Sequence, residues 1–203
     1  MDTLIKARRL ADYVAANWRL PERFNERPAP VSDNLGAILV DAVFQAGLNY
    51  RTVVLPRVYA VARGFPGLDS LSQLESALPT KGFSSALNWN HPEKPARLRE
   101  LVVYFRRQGL ETLWDLHRWL SSSANRLALL GVRGIGPKTV DYLSKLLGLP
   151  TIAVDRHAHR LLRDAGIVSR GYLEARRILE FAADLLSISR WAFDRLMWQT
   201  LSR

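Results

Sequence analysis

The strongest constraint on how this chain can fold is the stretch Gly131-Val132-Arg133-Gly134-Ile135-Gly136-Pro137-Lys138-Thr139. Gly134 and Gly136 admit backbone conformations closed to other residues, and Pro137 suits the first position of a helix. Apolar periodicity resumes on both sides, over about 124–130 and 137–147. The stretch therefore reads as a tight hairpin between two helices. A helix opening at Pro137 would leave the amides of Lys138 and Thr139 unpaired at its positive end. Such a turn can hold one backbone phosphate whatever the base sequence. An ordinary helix–helix turn is the competing reading.

Elsewhere the 3.6-residue period recurs and useful period-two runs are absent, so the chain is expected to be all-α. The spacing predicts a first helix over about 3–18, with Ala7, Ala11, Val14, Ala15 and Trp18 on its buried stripe. A loop with Pro21, Pro28 and Pro30 follows. Ser32 or Asp33 is expected to cap a helix reaching about Gln45. Asn49 would cap the next, to about Arg63, with a kink or break at Pro56. A short helix covers about 71–78. Residues 79–96, punctuated by Pro79, Gly82, Pro92 and Pro95, read as loop. Helices then cover about 95–107, 111–121, 124–130, 137–147, 156–165, 172–186 and 190–202, making about eleven. No repeat of fixed period is present.

Composition narrows the classes of function. The 203 residues suffice for one domain or two small lobes, burying roughly 70% of the unfolded surface. No cysteine is present, which excludes disulfides, Cys-ligated zinc and iron–sulfur clusters. It also fits a cytoplasmic protein, nucleoid-associated in a prokaryote. No apolar run approaches ~20 residues, so no membrane partner is expected. The longest candidate, Leu35 to Phe44, is interrupted by Asp41. The N-terminus, with Asp2, Lys6, Arg8 and Arg9, does not read as a secretory signal. The net charge of +10 suits a polyanionic partner. Of 29 basic residues 24 are Arg, which cannot lose its proton to become a nucleophile. Lys138 in the hairpin is one of only five lysines, the others being Lys6, Lys81, Lys94 and Lys145.

Two groups could carry chemistry. On the helix after the hairpin, Val140, Leu143, Leu146 and Leu147 form the expected buried stripe. Lys138 falls opposite, with Asp141 and Lys145, on a face that either meets solvent or lines a cleft. Asp155, in Val154-Asp155-Arg156-His157, suits the N-cap of a helix starting at Arg156. The helix end favours negative charge there, as stabilisation of a cationic sugar would require. The same helix carries a basic stripe of Arg156, Arg160 and Arg163. His157 and His159 are two apart and point to different sides, so they are not expected to share a metal.

These residues together resemble the helix-hairpin-helix, Gly/Pro-rich, Asp (HhH-GPD) superfamily of base-excision DNA glycosylases. The match is carried by Gly131 to Thr139 and by Pro150-Thr151-Ile152-Ala153-Val154-Asp155-Arg156-His157. It extends more loosely to Leu39-Val40-Asp41-Ala42-Val43-Phe44-Gln45-Ala46. The resemblance implies a two-lobed helical DNA glycosylase fold. One lobe is a bundle over 31–147 ending in the helix-hairpin-helix of about 124–147. The other combines 1–30 with 148–203, and DNA binds across the cleft between them. Lys138 falls where bifunctional members keep a Schiff-base lysine, Asp155 where the family keeps its catalytic aspartate, and Gln45 near the residue that fills the gap left by an extruded base. The lysine-to-aspartate interval is slightly shorter than in endonuclease III, whose C-terminal cluster-binding cysteines are absent here. The chain thus resembles cluster-free, endonuclease III-like or 8-oxoguanine glycosylase-like members, the missing cluster pointing to the 8-oxoguanine branch or to a divergent cluster-free one.

The resulting expectation is a DNA glycosylase with AP lyase activity. It would act as a monomer on duplex DNA carrying a damaged, oxidised base or an abasic site. Lys138 and Asp155 are the catalytic candidates. Arg133, Gly134, Ile135, Gly136, Thr139, Arg156, Arg160 and Gln45 are the DNA-binding candidates. Phe83 and Trp89, in the segment read as loop, are candidates for stacking on the base. Trp114, Trp119, Trp191 and Trp198 read as packing residues. No cofactor is expected beyond a structural monovalent cation held by the hairpin carbonyls. A water-using monofunctional glycosylase and a non-catalytic DNA-binding module are the alternatives.

Overall fold

The computed structural model describes residues 2–20 and 33–201, which form twelve α-helices, one π-helical turn and no strand. In chain order these are α1 (Thr3–Asn17), α2 (Leu35–Phe44), the π turn (Tyr50–Val54), α3 (Leu55–Gly64), α4 (Leu71–Ala77), α5 (Lys81–Leu87) and α6 (Glu93–Arg107). They continue with α7 (Leu113–Ser121), α8 (Ser123–Leu129), α9 (Pro137–Leu146), α10 (Arg156–Asp164), α11 (Tyr172–Leu185) and α12 (Arg190–Leu201). The loop expected around Pro21, Pro28 and Pro30, the Ser32 cap and the helix end at Ser202 lie outside the described residues. The chain divides into two compact units. One holds α2 to α9 and ends at Leu149, and the other combines both chain ends.

The first unit is built around α2. All ten of its residues are buried, and α3, α4, α6 and α9 pack on it. A helix apolar on every side is stable only when enclosed, so this sequence dictates the centre of the bundle. Asn34, rather than Asp33, caps α2 by accepting from the Ala37 amide at 2.9 Å. Its own amide donates to the Phe65 carbonyl, tying the cap to the end of α3. Phe44, Phe83, Phe105, Leu39, Leu74 and Leu98 are fully enclosed, each contributing about 1.5–3 kcal/mol by leaving water.

One expectation is met in a particular form and one fails in this unit. Asn49 does cap the next element, but Tyr50–Val54 is π-helical and α3 follows it. Pro56 cannot donate to a carbonyl four residues back, and the wider turn before it accommodates the missing bond. Residues 79–96 are not a loop. Thr80 caps α5 and α6 begins at Glu93. Pro79 stands before the cap, while Gly82 and Pro95 fall in first turns, where a breaker costs little. Asn88, with φ of 42°, ends α5. Trp119 packs edge-on against Tyr104 and Phe105, whereas Trp114 is largely exposed beneath the Arg118 guanidinium at 4.5 Å.

In the second unit α1 lies along α11, and α10 packs on α11 and α12. Ala7 and Ala11 on α1, with Ala175, Ala182 and Ala183 on α11, are small buried residues at this contact and let the backbones approach closely. Lys6 and Leu10 complete the buried stripe of α1, while Ala15 is exposed. Lys6 is buried because its ammonium donates to Glu174 at 2.6 Å.

Candidate functional site

The hairpin between α8 and α9 is pinned from below and open above. Val132 and Ile135 are buried in the bundle core, and the Ile135 amide donates to the Val132 carbonyl at 3.0 Å. Arg133 and Gly134, between them, face solvent. Gly134 has φ of 78°, and a Cβ there would lie 2.4 Å from Arg97 Nε. The left-handed backbone thus favours glycine, and the Arg97 side chain lies directly on the turn. Gly136 is extended and forms the N-cap of α9, with Pro137 at its first position. Among the described residues the amides of Gly134, Gly136 and Lys138 have no acceptor. These are the donors an anion would use. Thr139 does not join them. Its amide donates to the Gly136 carbonyl at 2.9 Å and the residue is buried, so its expected role in DNA binding is withdrawn. Ile135 is likewise buried with its amide paired to Val132, so it has no donor for a phosphate and its expected role in DNA binding is withdrawn as well.

Lys138 is half-buried in the first turn of α9 and shares a stripe with Tyr142 and Lys145, at intervals of four and three residues. Asp141, expected on that face, is instead 1% exposed and belongs to the core side with Thr139, Val140, Leu143 and Ser144. Beside Lys138 lies Lys94 of α6, a residue that no motif singles out. Its ammonium is buried and donates to the carbonyls of Val43, Phe44 and Ala46 at 3.0, 3.2 and 2.8 Å, closing the C-terminal end of α2. Burial, followed by repulsion from Arg97 and Lys138, lowers its pKa to about 8. The one signal for it in the sequence is the scarcity of lysine.

In the other unit, Asp155 is the N-cap of α10. Its Oδ1 accepts from the His157 and Ala158 amides at 2.8 and 3.1 Å. The preceding residues Ile152, Ala153 and Val154 are buried, and the Val154 amide donates to the Tyr172 hydroxyl at 3.1 Å. The carboxyl is thus held by a fixed backbone on one side and two amides on the other, with Oδ2 outside the capping bonds. Arg156 and Arg160 are exposed, Arg160 facing Asp164 at 3.6 Å. His157 is buried against Arg156, and His159 is exposed.

Three roles expected from the sequence do not fit their surroundings. Phe83 is fully buried against Phe65, so it has no face for a base. Trp89 packs edge-on against Phe44 at 5.5 Å and lies under the Arg57 guanidinium at 5.1 Å, which occupies its ring. Gln45 is the C-cap of α2 and only 8% exposed, with Nε2 buried and without an acceptor. A side chain enclosed in this way is not placed to fill a gap in a duplex. Among the described residues no group of His, Asp or Glu is arranged to hold a metal ion, and no helix is long and apolar enough to cross a membrane.

With this geometry the chain is similar to three solved structures. The 8-oxoguanine DNA glycosylase of Thermotoga maritima shares 19% identity and a TM-score of 0.57, over 98% of this chain and 95% of that one. The H. pylori 3-methyladenine DNA glycosylase, solved with 1,N6-ethenoadenine, shares 17% identity and a TM-score of 0.54, over 100% and 99%. The 8-oxoguanine DNA glycosylase of Methanocaldococcus jannaschii shares 17% identity and a TM-score of 0.52, over 83% and 78%. The chain has the fold of these DNA glycosylases. No protein-family model and no curated protein matches it. The all-α reading, the hairpin and the glycosylase fold therefore stand together, while the roles of individual residues rest on their chemistry.

Proposed function

We propose that this protein is a base-excision DNA glycosylase with AP lyase activity, using Lys138 as nucleophile. The observation that carries the proposal is the position of Lys138. The chain places its one hairpin lysine at the start of α9, beside three amides free to hold a phosphate. An amine there would be within reach of the sugar attached to a phosphate held by those amides.

The reaction requires a damaged nucleotide turned out of the duplex, since C1′ is inaccessible in the stack. The unprotonated Lys138 amine donates its electron pair to C1′, and the C1′–N bond to the base breaks. The base leaves with the electron pair of the broken bond and takes up a proton. The role assigned to the Asp155 carboxylate is to stabilise the positive charge that develops on the sugar. Ring opening gives an imine between Nζ and C1′. Removal of a C2′ proton then expels the 3′-phosphate, which cuts the strand, and water releases the lysine. Arg133, Arg156 and Arg160 are exposed cations available to the phosphate backbone.

A second reading is a hydrolytic glycosylase in which water attacks C1′ and Lys138 only neutralises phosphate. It draws on the same placement of Lys138 beside the free amides. A single-turnover assay of free-base release from duplexes containing 8-oxoguanine, 3-methyladenine or ethenoadenine tests the glycosylase proposal. Release by the wild type, lost in Asp155→Asn, is expected. Wild-type protein that binds these duplexes and releases no base from any contradicts it.

A further inference from the structure

Asp41 is the sole charged residue of α2, the helix enclosed on every side. It is 1% exposed. Its two carboxylate oxygens each accept from a phenol at 3.1 Å, Oδ2 from Tyr50 and Oδ1 from Tyr142. The shared carboxylate thus joins α2, the π turn and α9 in a three-residue network. Burial raises the Asp41 carboxyl to about 6, against the lowering effect of both phenols and of Lys145. The same burial, with the neighbouring carboxylate, pushes both phenols up. An ionised Asp41 thus costs the fold stability at neutral pH relative to an exposed aspartate. An aliphatic side chain here would carry no such penalty. A buried ionisable group carrying such a cost, beside a π-helical turn, is characteristic of functional sites.

Tyr142 gives the network its outlet. It stands four residues after Lys138 and three before Lys145, on the same half-buried stripe of α9. The Lys145 ammonium lies 5.7 Å from the centre of its ring. The carboxylate therefore anchors, from beneath, the residue between the two lysines.

We infer that Asp41 is a positioning residue for the lysine-bearing face of α9, acting through Tyr142 and braced by Tyr50. With Asp41 ionised, both phenol protons point into the carboxylate and Tyr142 is locked. With Asp41 protonated, the carboxyl donates to one phenol oxygen and that phenol turns its proton away. The face then loses both its lock and the buried anion beneath it. The charged and titratable groups around Asp41 are Tyr142 and Lys145 from α9 and Tyr50 from the π turn, with Tyr59 of α3 behind Tyr50 and Lys94 of α6 at the C-terminal end of α2. The purpose assigned to this face, presenting Lys138, rests on the function proposed above. The coupling itself does not.

The experiment is limited reductive methylation of the intact protein with formaldehyde and cyanoborohydride from pH 5 to 8. Peptide mass spectrometry would read Lys138 relative to the exposed Lys81. Wild type is expected to show a step in the Lys138/Lys81 ratio centred near pH 6, of about threefold, the scale of coupling through packed side chains. Asp41→Asn and Tyr142→Phe should remove the step, and Asp41→Glu should retain it at a displaced pH. Asparagine can still accept from one phenol and donate to the other, so the fold is expected to survive. Tyr142→Phe provides an independent route to the same loss. An identical curve in wild type and Asp41→Asn overturns the inference. The same series, read as borohydride trapping on DNA with an abasic site, separates the two claims. A step in methylation with no trapping by wild type sinks the lyase and leaves the coupling. Trapping with one pH curve for both proteins does the reverse.

Discussion

In the unit containing the hairpin, the buried Asp41 and Lys94 are hydrogen-bonded by neutral groups, phenols in one case and backbone carbonyls in the other. In the unit built from the chain ends, the buried Lys6 meets a carboxylate, Glu174, at 2.6 Å. The consequences for charge are opposite. Burial drives Asp41 toward its neutral acid and Lys94 toward its neutral amine. Glu174 is instead held lower by Lys6 and by the Arg170 amide. One unit thus carries ionisable groups under tension, Lys94 beside Lys138 and Asp41 beneath Tyr142, while the other uses its ion pair to fasten α1 to α11. Strain of this kind is tolerated where it serves a site and is avoided where only packing is required.

The largest expected effect falls on Asp155. Asp155→Asn should reduce base release by at least about 100-fold, the scale of losing one electrostatic stabiliser of the transition state. Asparagine is an equally good N-cap, so stability should change by less than about 0.5 kcal/mol. Single-turnover release and urea unfolding would measure the two quantities. Parallel losses would make Asp155 a cap alone.

Lys94→Met should cost about 3 kcal/mol in urea unfolding, because three carbonyls at the end of α2 lose their donor inside the core. Lys6→Met should cost less, since Glu174 keeps the Arg170 amide. Equal losses would erase the contrast between the units.

Acid sharpens the same contrast. The Asp41 carboxyl is raised in the fold from 3.8 to about 6, so its contribution to stability is greatest below the unfolded value and lost as pH rises through 6. Asp41→Asn should therefore gain on wild type by up to about 3 kcal/mol at pH 8, with the advantage vanishing below pH 4. Glu174 behaves oppositely. Its contribution is present above the ordinary carboxylate range and is lost as pH falls through its lowered value. Melting temperatures of Asp41→Asn and Glu174→Gln from pH 4 to 8 should diverge from wild type in opposite directions. Parallel curves would contradict both assignments. The smallest effect is that of Gly134→Ala, about 1–2 kcal/mol from the left-handed backbone, together with weaker duplex binding as the hairpin amides are shifted. Unchanged affinity would remove the hairpin from the DNA contact.

Much of this architecture is legible in the sequence because local signals agree. The period of α9, Pro137 and the two glycines specify a hairpin before any tertiary contact is known, and the Asp155 cap follows from its position before an amphipathic helix. The helices within 79–96 are hidden because Pro79, Gly82 and Pro95 look like breakers, when each occupies a position that tolerates it. Phe83 and Trp89 are hidden with them, since residues in a loop would have free faces that the core and Arg57 in fact occupy. Asp41 is conspicuous as a charge inside an apolar helix. Its partners are not, because Tyr50 and Tyr142 are brought to it by packing across 9 and 101 residues of chain. Lys94 is a similar case, meeting carbonyls about fifty residues away. Sequence period reports which face is buried, and only the fold reports what a buried polar group meets there.

The most direct test of the account is borohydride trapping on a duplex with one abasic site, comparing wild type, Lys138→Gln and Lys94→Met. A covalent protein–DNA complex formed by wild type and Lys94→Met, and absent from Lys138→Gln despite retained DNA binding, is the predicted result. Trapping that persists in Lys138→Gln, or its absence from well-folded, DNA-binding wild type, would contradict the assignment of Lys138 as the nucleophile.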